Sequence, residues 1–308
     1  LLYTADLLQL VRHHQLQPHA YADDTQINGF CRPSEVDALQ VRVSQCFDDV
    51  SAWTMANRLQ LNPTKTEVLW CSSTRRQHQI PTGPVRIGTT SVTPASSVRD
   101  LGVHLNSDVT LSTHVTATIR ACYAVLRQIR SVRQSLTFDT LVTLLRALVV
   151  SKVDYCCSAL AGVSRTQMAR LQSVLNAAAR LVFASQRWAH VTPLLRELHW
   201  LKVPERIQFR LCVLAYRCLH GTAPVYLAES LHLAADTDIR RHLRSADAST
   251  LIVPATRRST LGDRAFPVAA ARAWNALPPT VRNAPSLDVF CRELKTALFG
   301  VSFPPESC

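Results

Sequence analysis

The spacing of apolar residues changes at Leu111, and this change constrains the fold more than any other feature of the sequence. Before it, short extended runs alternate with turn-forming residues, and one stretch from Ser34 to about residue 58 has helical spacing. After it, apolar residues recur every three or four positions, which is typical of helices packed on a core. The sequence therefore predicts an α+β fold in which a strand-rich part precedes a mostly helical one.

Four helices are predicted after Leu111. The first and third carry the apolar stripes Val115, Ile119, Cys122, Leu126, Ile129 and Met168, Leu171, Leu175, Ala178, Val182. The second covers "FDTLVTLLRALVVSKVDY", and the fourth begins at Pro204 and ends near Gly221. Beyond about residue 235 the polar "DTDIRRHLRSADAST" predicts a linker, and the remainder predicts a strand, a turn at Gly262 and two short helices.

The positive charge is concentrated in the middle of the chain. Of the formal net charge of +12, residues 1–110 contribute 9 − 10 = −1, residues 111–220 contribute 15 − 4 = +11 and residues 221–308 contribute 10 − 8 = +2. Such a block favours a polyanionic partner, because arginines placed against phosphates release condensed counterions. The alternative is that these arginines are solvated faces of ordinary helices.

Several other classes of protein are disfavoured by the sequence. The longest apolar run, "LVTLLRALVV", is interrupted by Arg146, so no membrane partner is expected. The eight glycines do not cluster, which excludes a phosphate-binding P-loop and a dinucleotide-binding turn. The ten cysteines contain no CxxC pair, which indicates a reducing, intracellular location, cytoplasmic or nuclear. Cys212, Cys218 and His220 are spaced poorly for a metal, so no structural zinc is expected.

The stretch "YADDTQINGF" places Asp23 and Asp24 on the turn of a predicted hairpin. Two adjacent carboxylates repel each other unless a cation lies between them. Mg²⁺ is commonly held by one or two carboxylates together with substrate phosphates, and a pair of such ions supports nucleotidyl transfer. The alternative is a polar hairpin tip without a ligand.

Five segments resemble the reverse transcriptases of non-LTR (LINE-type) retrotransposons. "YADDTQI" resembles their catalytic hairpin, "ANRLQLNPTKTEVLWC" the motif that follows it, and "VRDLGVHLNSDVTLSTHV" their primer grip. "LHWLKVPERIQFRLCVLAYRCLHGTAPVYL" and "GDRAFPVAAARAWNALPPTVR" resemble their tail segments. The resemblance implies a partial antiparallel palm, a helical thumb and a small C-terminal unit, with RNA template, DNA primer or RNA–DNA hybrid, and dNTP as partners and Mg²⁺ as cofactor of the intact enzyme.

The resemblance also implies roles for particular residues. Asp23 and Asp24 would be metal ligands, Lys65 a general acid toward pyrophosphate, and Tyr21 a neighbour of the primer end or the nucleotide. Leu101 and Gly102 would lie in the primer grip. The phosphate surface is predicted to comprise Arg120, Arg127, Arg170, Arg180, Arg206 and Arg210, although the last two, with Arg217, also fit an edge of long side chains over a buried helix.

The resemblance predicts four segments: a truncated palm over 1–75, primer-grip strands over 76–110, a basic thumb over 111–235 and a C-terminal unit over 236–308. The family's palm has a further catalytic aspartate on an earlier strand, and no residue before Tyr21 matches it, since Asp6 lies in a helical segment. We therefore expect a fragment that does not polymerise DNA alone. A nucleic-acid-binding protein without catalysis and a helical scaffold without function are the alternatives.

Overall fold

The computed structural model describes residues 4–236, 249–257 and 259–304. It confirms the predicted α+β class, with mostly helical content and antiparallel sheets of two strands each. The chain divides into two compact units, Leu1–Thr110 and Leu111–Cys308. The division lies where the predicted strands give way to the predicted helices.

The described residues of the first unit, from residue 4 onward, form two α-helices and three separate β-ribbons. Its helices are α1 (Ala5–His13) and α2 (Val36–Ala56), and short 3-10 helices cover Pro33–Glu35, Pro63–Lys65 and Thr74–Gln79. Each ribbon is an antiparallel pair: β1 (Gln17–Tyr21) with β2 (Asp24–Asn28), β3 (Val85–Ile87) with β4 (Thr90–Val92), and β5 (Ser97–Asp100) with β6 (Val103–Asn106). The helix predicted from Ser34 to about residue 58 is α2.

The core of the first unit lies where α1 meets α2. Its buried members are Leu7, Val11, Leu16, Leu39, Cys46 and Val50. Ile27 of β2 and Trp70 pack against this cluster, so one face of the first ribbon is covered. The hydroxyl of Ser44 in α2 donates to the carbonyl of Arg86 at 2.7 Å, and the Arg86 guanidinium pairs with Asp48, which fixes β3 along α2.

The prediction that Glu67–Cys71 enter the sheet is wrong. This segment is irregular. Isolated backbone hydrogen bonds connect it and the next residue to the chain around them: the Ala95 N–H donates to the Val68 carbonyl, and the Ser72 N–H donates to the Ser107 carbonyl, both at 2.8 Å. Trp70 of the apolar run "VLW" packs on the core. An irregular segment that packs on a core needs apolar residues as much as a strand does, so composition alone does not separate the two.

The second unit is helical. Its α-helices are α3 (Ser112–Val132), α4 (Phe138–Leu145), α5 (Ser151–Asp154), α6 (Arg165–Val182), α7 (Thr192–Glu197), α8 (Val203–Leu219), α9 (Val225–Ala228), α10 (Ser259–Gly262), α11 (Phe266–Asn275), α12 (Pro279–Arg282) and α13 (Leu287–Ser302). A π-helical turn, Arg146–Val150, joins α4 to α5, and 3-10 helices cover Arg133–Ser135, Cys157–Leu160 and Ala234–Asp236. The four predicted helices correspond to α3, the α4–α5 run, α6 and α8.

Helix α8 is central to the second unit. It packs against α6, α11 and α13. Tyr216 stacks on Phe290 of α13 at 4.5 Å between ring centroids and donates its hydroxyl to the Ala284 carbonyl at 3.1 Å. Trp274 of α11 lies 5.6 Å from the same Phe290 ring, so aromatic contacts tie three helices together.

The C-terminal part differs from its prediction in three places. Leu251 makes a single β-bridge to Leu233 instead of opening a strand, and the side-chain amide of Asn275 bonds both backbone groups of Leu251. Gly262 ends the short helix α10. Helix α13 runs for 16 residues, begun by the Ser286 side chain, which accepts from Val289 N–H at 3.3 Å. Most of the predicted linker lies outside the described residues.

Candidate functional site

The two adjacent aspartates lie at the tip of the first ribbon, as the sequence predicts. Tyr21 and Asp24 form the last pair of the β1–β2 ladder, and Ala22 and Asp23 form the two-residue turn between them. Ala22 has φ of +54°, which places its backbone in the left-handed region. Tyr21 is 68% exposed, and both aspartates are exposed, so the tip projects into solvent.

The tip alone does not fit a two-metal site. Neither aspartate side chain makes a hydrogen bond or an ion pair with any residue that the structure describes, so the carboxylate oxygens are available to a cation. However, no group of three or more His, Cys, Asp or Glu side chains is placed to hold a metal within the described ranges. Asp23 and Asp24 could share one hard cation, but they lack the further carboxylate that a pair of ions requires.

The other residues assigned by resemblance to the first unit lie in turns. Lys65 is exposed at the end of a short 3-10 helix whose loop is organised by Asn62, which accepts from the Thr64 N–H at 3.1 Å and the Thr64 hydroxyl at 2.6 Å. No hydrogen bond or ion pair joins Lys65 to the tip aspartates. Leu101 (φ +42°) and Gly102 (φ +84°) form the two-residue turn between β5 and β6. Gly102 thus provides a tight turn.

Three of the predicted arginines are exposed on the neighbouring helices α3 and α6. Arg120 and Arg127 lie two turns apart on α3 and are exposed. Arg170 of α6 donates to the Thr116 hydroxyl at 3.2 Å, and Thr116 lies one turn before Arg120 on α3. We call this set, Arg120, Arg127 and Arg170, the basic face. Arg130, also exposed on α3, was missed by the prediction.

The two helices that carry the basic face contain no carboxylate. Neither residues 109–138 nor residues 155–196 include an Asp or a Glu. The helices run parallel, because contacts to later residues of α3 reach later residues of α6: Tyr123 meets Ser173 at 3.1 Å, and the Arg133 Nε donates to the Leu181 carbonyl at 2.8 Å. No side chain of either helix can therefore neutralise these arginines.

The other three predicted arginines have different environments. Arg206 is used inside the fold, since its Nη1 pairs with both Asp154 carboxylate oxygens at 2.8 and 3.0 Å and its Nε donates to the Leu201 carbonyl. Its side chain is only 14% exposed, which removes it from the phosphate surface. Arg180 donates from Nε and Nη2 to the Ala189 carbonyl. Arg210 is exposed on α8.

The cysteine and histidine trio near the end of α8 has structural roles. Burial raises the pKa of the Cys212 thiol to about 12, and it also raises the pKa of Cys218. A neutral buried thiol is a poor metal ligand. The Nδ1 atom of His220 lies 2.8 Å from the Tyr216 carbonyl, and its ring stacks on Tyr216.

The sequence prediction also missed an exposed turn after α6. Arg187 and Trp188 occupy its two central positions, and the Trp188 side chain is 79% exposed. The sequence did contain a signal for this turn: Trp188 lies between Arg187 and His190 in "SQRWAH", a polar segment that interrupts the helical apolar spacing.

No protein-family model matches the chain, and no curated protein or solved structure is significantly similar to it. None of the helices in the described part of the chain has both the length and the apolar character that crossing a bilayer requires.

Proposed function

We propose that the chain derives from the reverse transcriptase of a non-LTR retrotransposon and that these 308 residues bind RNA or an RNA–DNA hybrid without copying it. The observation that carries the binding function is the basic face. Arg120, Arg127 and Arg170 lie on two parallel helices that contain no carboxylate.

The basic face suits a phosphate backbone better than a protein partner. A phosphate strand is negative along its whole length and is attracted by every arginine of this face, whereas protein surfaces mix charges of both signs. Two arginines two helical turns apart can each contact a phosphate. The face offers no pattern that would read bases, so the binding we propose is governed by charge and is independent of sequence.

The hairpin tip supports the retrotransposon origin. Asp23 lies in a two-residue turn and Asp24 is the first residue after it, beside Tyr21, and all three are exposed where a primer end could approach. In a longer polypeptide that supplies a third carboxylate, Asp23 and Asp24 would act as metal ligands and Lys65 as the acid toward pyrophosphate. Nucleotidyl transfer by such a longer polypeptide is the second candidate function. Coding sequence directly before Leu1 that encodes an Asp-bearing strand would support it.

A filter-binding titration against salt tests the binding function. The logarithm of the association constant for a labelled RNA–DNA hybrid should fall steeply with the logarithm of salt concentration, and Arg120→Gln with Arg127→Gln should reduce the slope by about 2. Arg292→Gln is the matched control, because Arg292 is an exposed arginine on α13. A wild-type slope near zero would contradict the proposal and leave a helical scaffold as the interpretation.

A further inference from the structure

The turn that follows α6 presents an aromatic ring to solvent. Its two central residues are Arg187 and Trp188, and it is closed by the Ala189 N–H, which donates to the Gln186 carbonyl at 3.1 Å. The Trp188 side chain is 79% exposed, the highest value among the large hydrophobic side chains that the structure describes as exposed. An indole left in water forgoes the burial of one of the largest apolar surfaces in proteins.

The turn is fixed to the helix beside it. The Ala189 carbonyl accepts from Arg180 Nε at 3.3 Å and Nη2 at 3.1 Å, and Ser185 N–H donates to the Arg180 carbonyl at 3.0 Å. Arg180, which the sequence assigned to the phosphate surface, thus orients the turn. A ring on an anchored turn loses little conformational entropy on binding a ligand.

The surroundings of the ring are basic. Arg187 and His190 are exposed beside Trp188, and the nearest carboxylates along the chain are Asp154 and Glu197. An aromatic ring beside a guanidinium matches a nucleotide, whose base can stack while its phosphate meets the guanidinium. An unpaired base offers a free face for stacking, whereas the faces of bases inside a duplex are already covered.

We infer that Trp188 is a stacking platform for an unpaired base of single-stranded nucleic acid, with Arg187 contacting the adjacent phosphate. The inference rests on the proposed nucleic-acid-binding function and deepens it. It assigns single strands, or single-stranded overhangs next to a hybrid, to this turn, whereas the basic face contacts phosphates of any strand.

Fluorescence anisotropy with a labelled oligo(U) strand of about 12 nucleotides tests the inference on the full chain. Trp188→Ala should weaken binding about ten- to a hundredfold, Trp188→Phe should retain part of the affinity, and neither should change the salt slope. Affinity for a blunt duplex of equal length should not change. Tyr226→Ala is the matched control, because Tyr226 is also an exposed aromatic residue of the second unit, at 69%. Circular dichroism checks that each variant is folded.

The outcomes separate this inference from the function on which it rests. If Trp188→Ala binds oligo(U) as tightly as wild type while the Arg120 and Arg127 variants bind weakly, the stacking platform is overturned and the binding function stands. If the wild-type chain binds no nucleic acid, both fall. Loss of duplex binding equal to the loss of single-strand binding, or Trp188-dependent binding to anionic vesicles in place of oligo(U), would also overturn the platform.

Discussion

Two arginines on one helix illustrate how far residue type alone predicts a role. Arg206 and Arg210 are four residues apart on α8, yet Arg206 pairs with Asp154 and Arg210 is exposed. Their spacing gave no means to separate them, because the partner of Arg206 is 52 residues away in sequence. Phosphate-binding candidates chosen from sequence therefore include arginines that form ion pairs with carboxylates distant in the sequence.

The Arg206–Asp154 pair should contribute measurably to stability. With side chains 14% and 22% exposed, Asp154→Ala leaves a largely desolvated guanidinium without its counter-charge, and we expect a loss of about 2–3 kcal/mol in the free energy of unfolding. Urea denaturation followed by circular dichroism measures it. Arg272→Ala, which breaks a pair whose arginine is 51% exposed, should cost much less, because solvent screens that pair. Equal losses in the two variants would contradict the burial argument.

At the scale of elements, helices were predicted better than strands. The stripes of α3 and α6 repeat over 21 and 18 residues, and such long repeats leave little ambiguity. The short apolar segment Glu67–Cys71 does not carry enough periodic information, because apolar residues fit a strand or an irregular segment on the core equally well. The β1–β2 turn was predicted, because extended runs flank Asp23 and Asp24, whereas the β5–β6 turn at Leu101 and Gly102 was assigned only to the primer grip.

Those two turns should respond to substitution with opposite signs. At Ala22 (φ +54°), Ala22→Gly relieves about 1–2 kcal/mol of left-handed strain and costs about 0.5–1 kcal/mol of added chain entropy, so a net gain of about 0.5 kcal/mol is expected. At Gly102 (φ +84°), Gly102→Ala should lose a similar amount. Thermal unfolding measures both changes.

Gly83→Ala is the control for the turn substitutions. Gly83 lacks a positive φ, and nothing lies within 4 Å of an added Cβ, so the entropy effect should act alone and favour alanine. If Gly102→Ala stabilised the protein as Gly83→Ala does, the left-handed geometry assigned to the β5–β6 turn would be wrong.

Across the whole molecule, the two kinds of chemistry are divided between the units. Residues 1–110 carry the aspartate tip and a net charge of −1, whereas residues 111–308 carry the basic face and a net charge of 11 + 2 = +13. The sequence revealed this division because net charge and apolar spacing can be read directly from consecutive residues. It could not reveal that Arg170 lies near Arg120 or that Arg180 anchors the Trp188 turn, since these contacts depend on helix packing.

The division predicts that this polypeptide binds nucleic acid and yet does not extend a primer. Transfer of a nucleotide requires two ions held in place, and the described residues gather at most the carboxylates of Asp23 and Asp24. In a primer-extension assay with Mg²⁺, product should stay at background although the hybrid is bound. Asp23→Asn with Asp24→Asn should leave hybrid affinity equal or slightly higher, because it removes two negative charges. Template-dependent synthesis that Asp23→Asn abolishes would show that the tip is a complete catalytic site, and the separation of binding from catalysis would then fail.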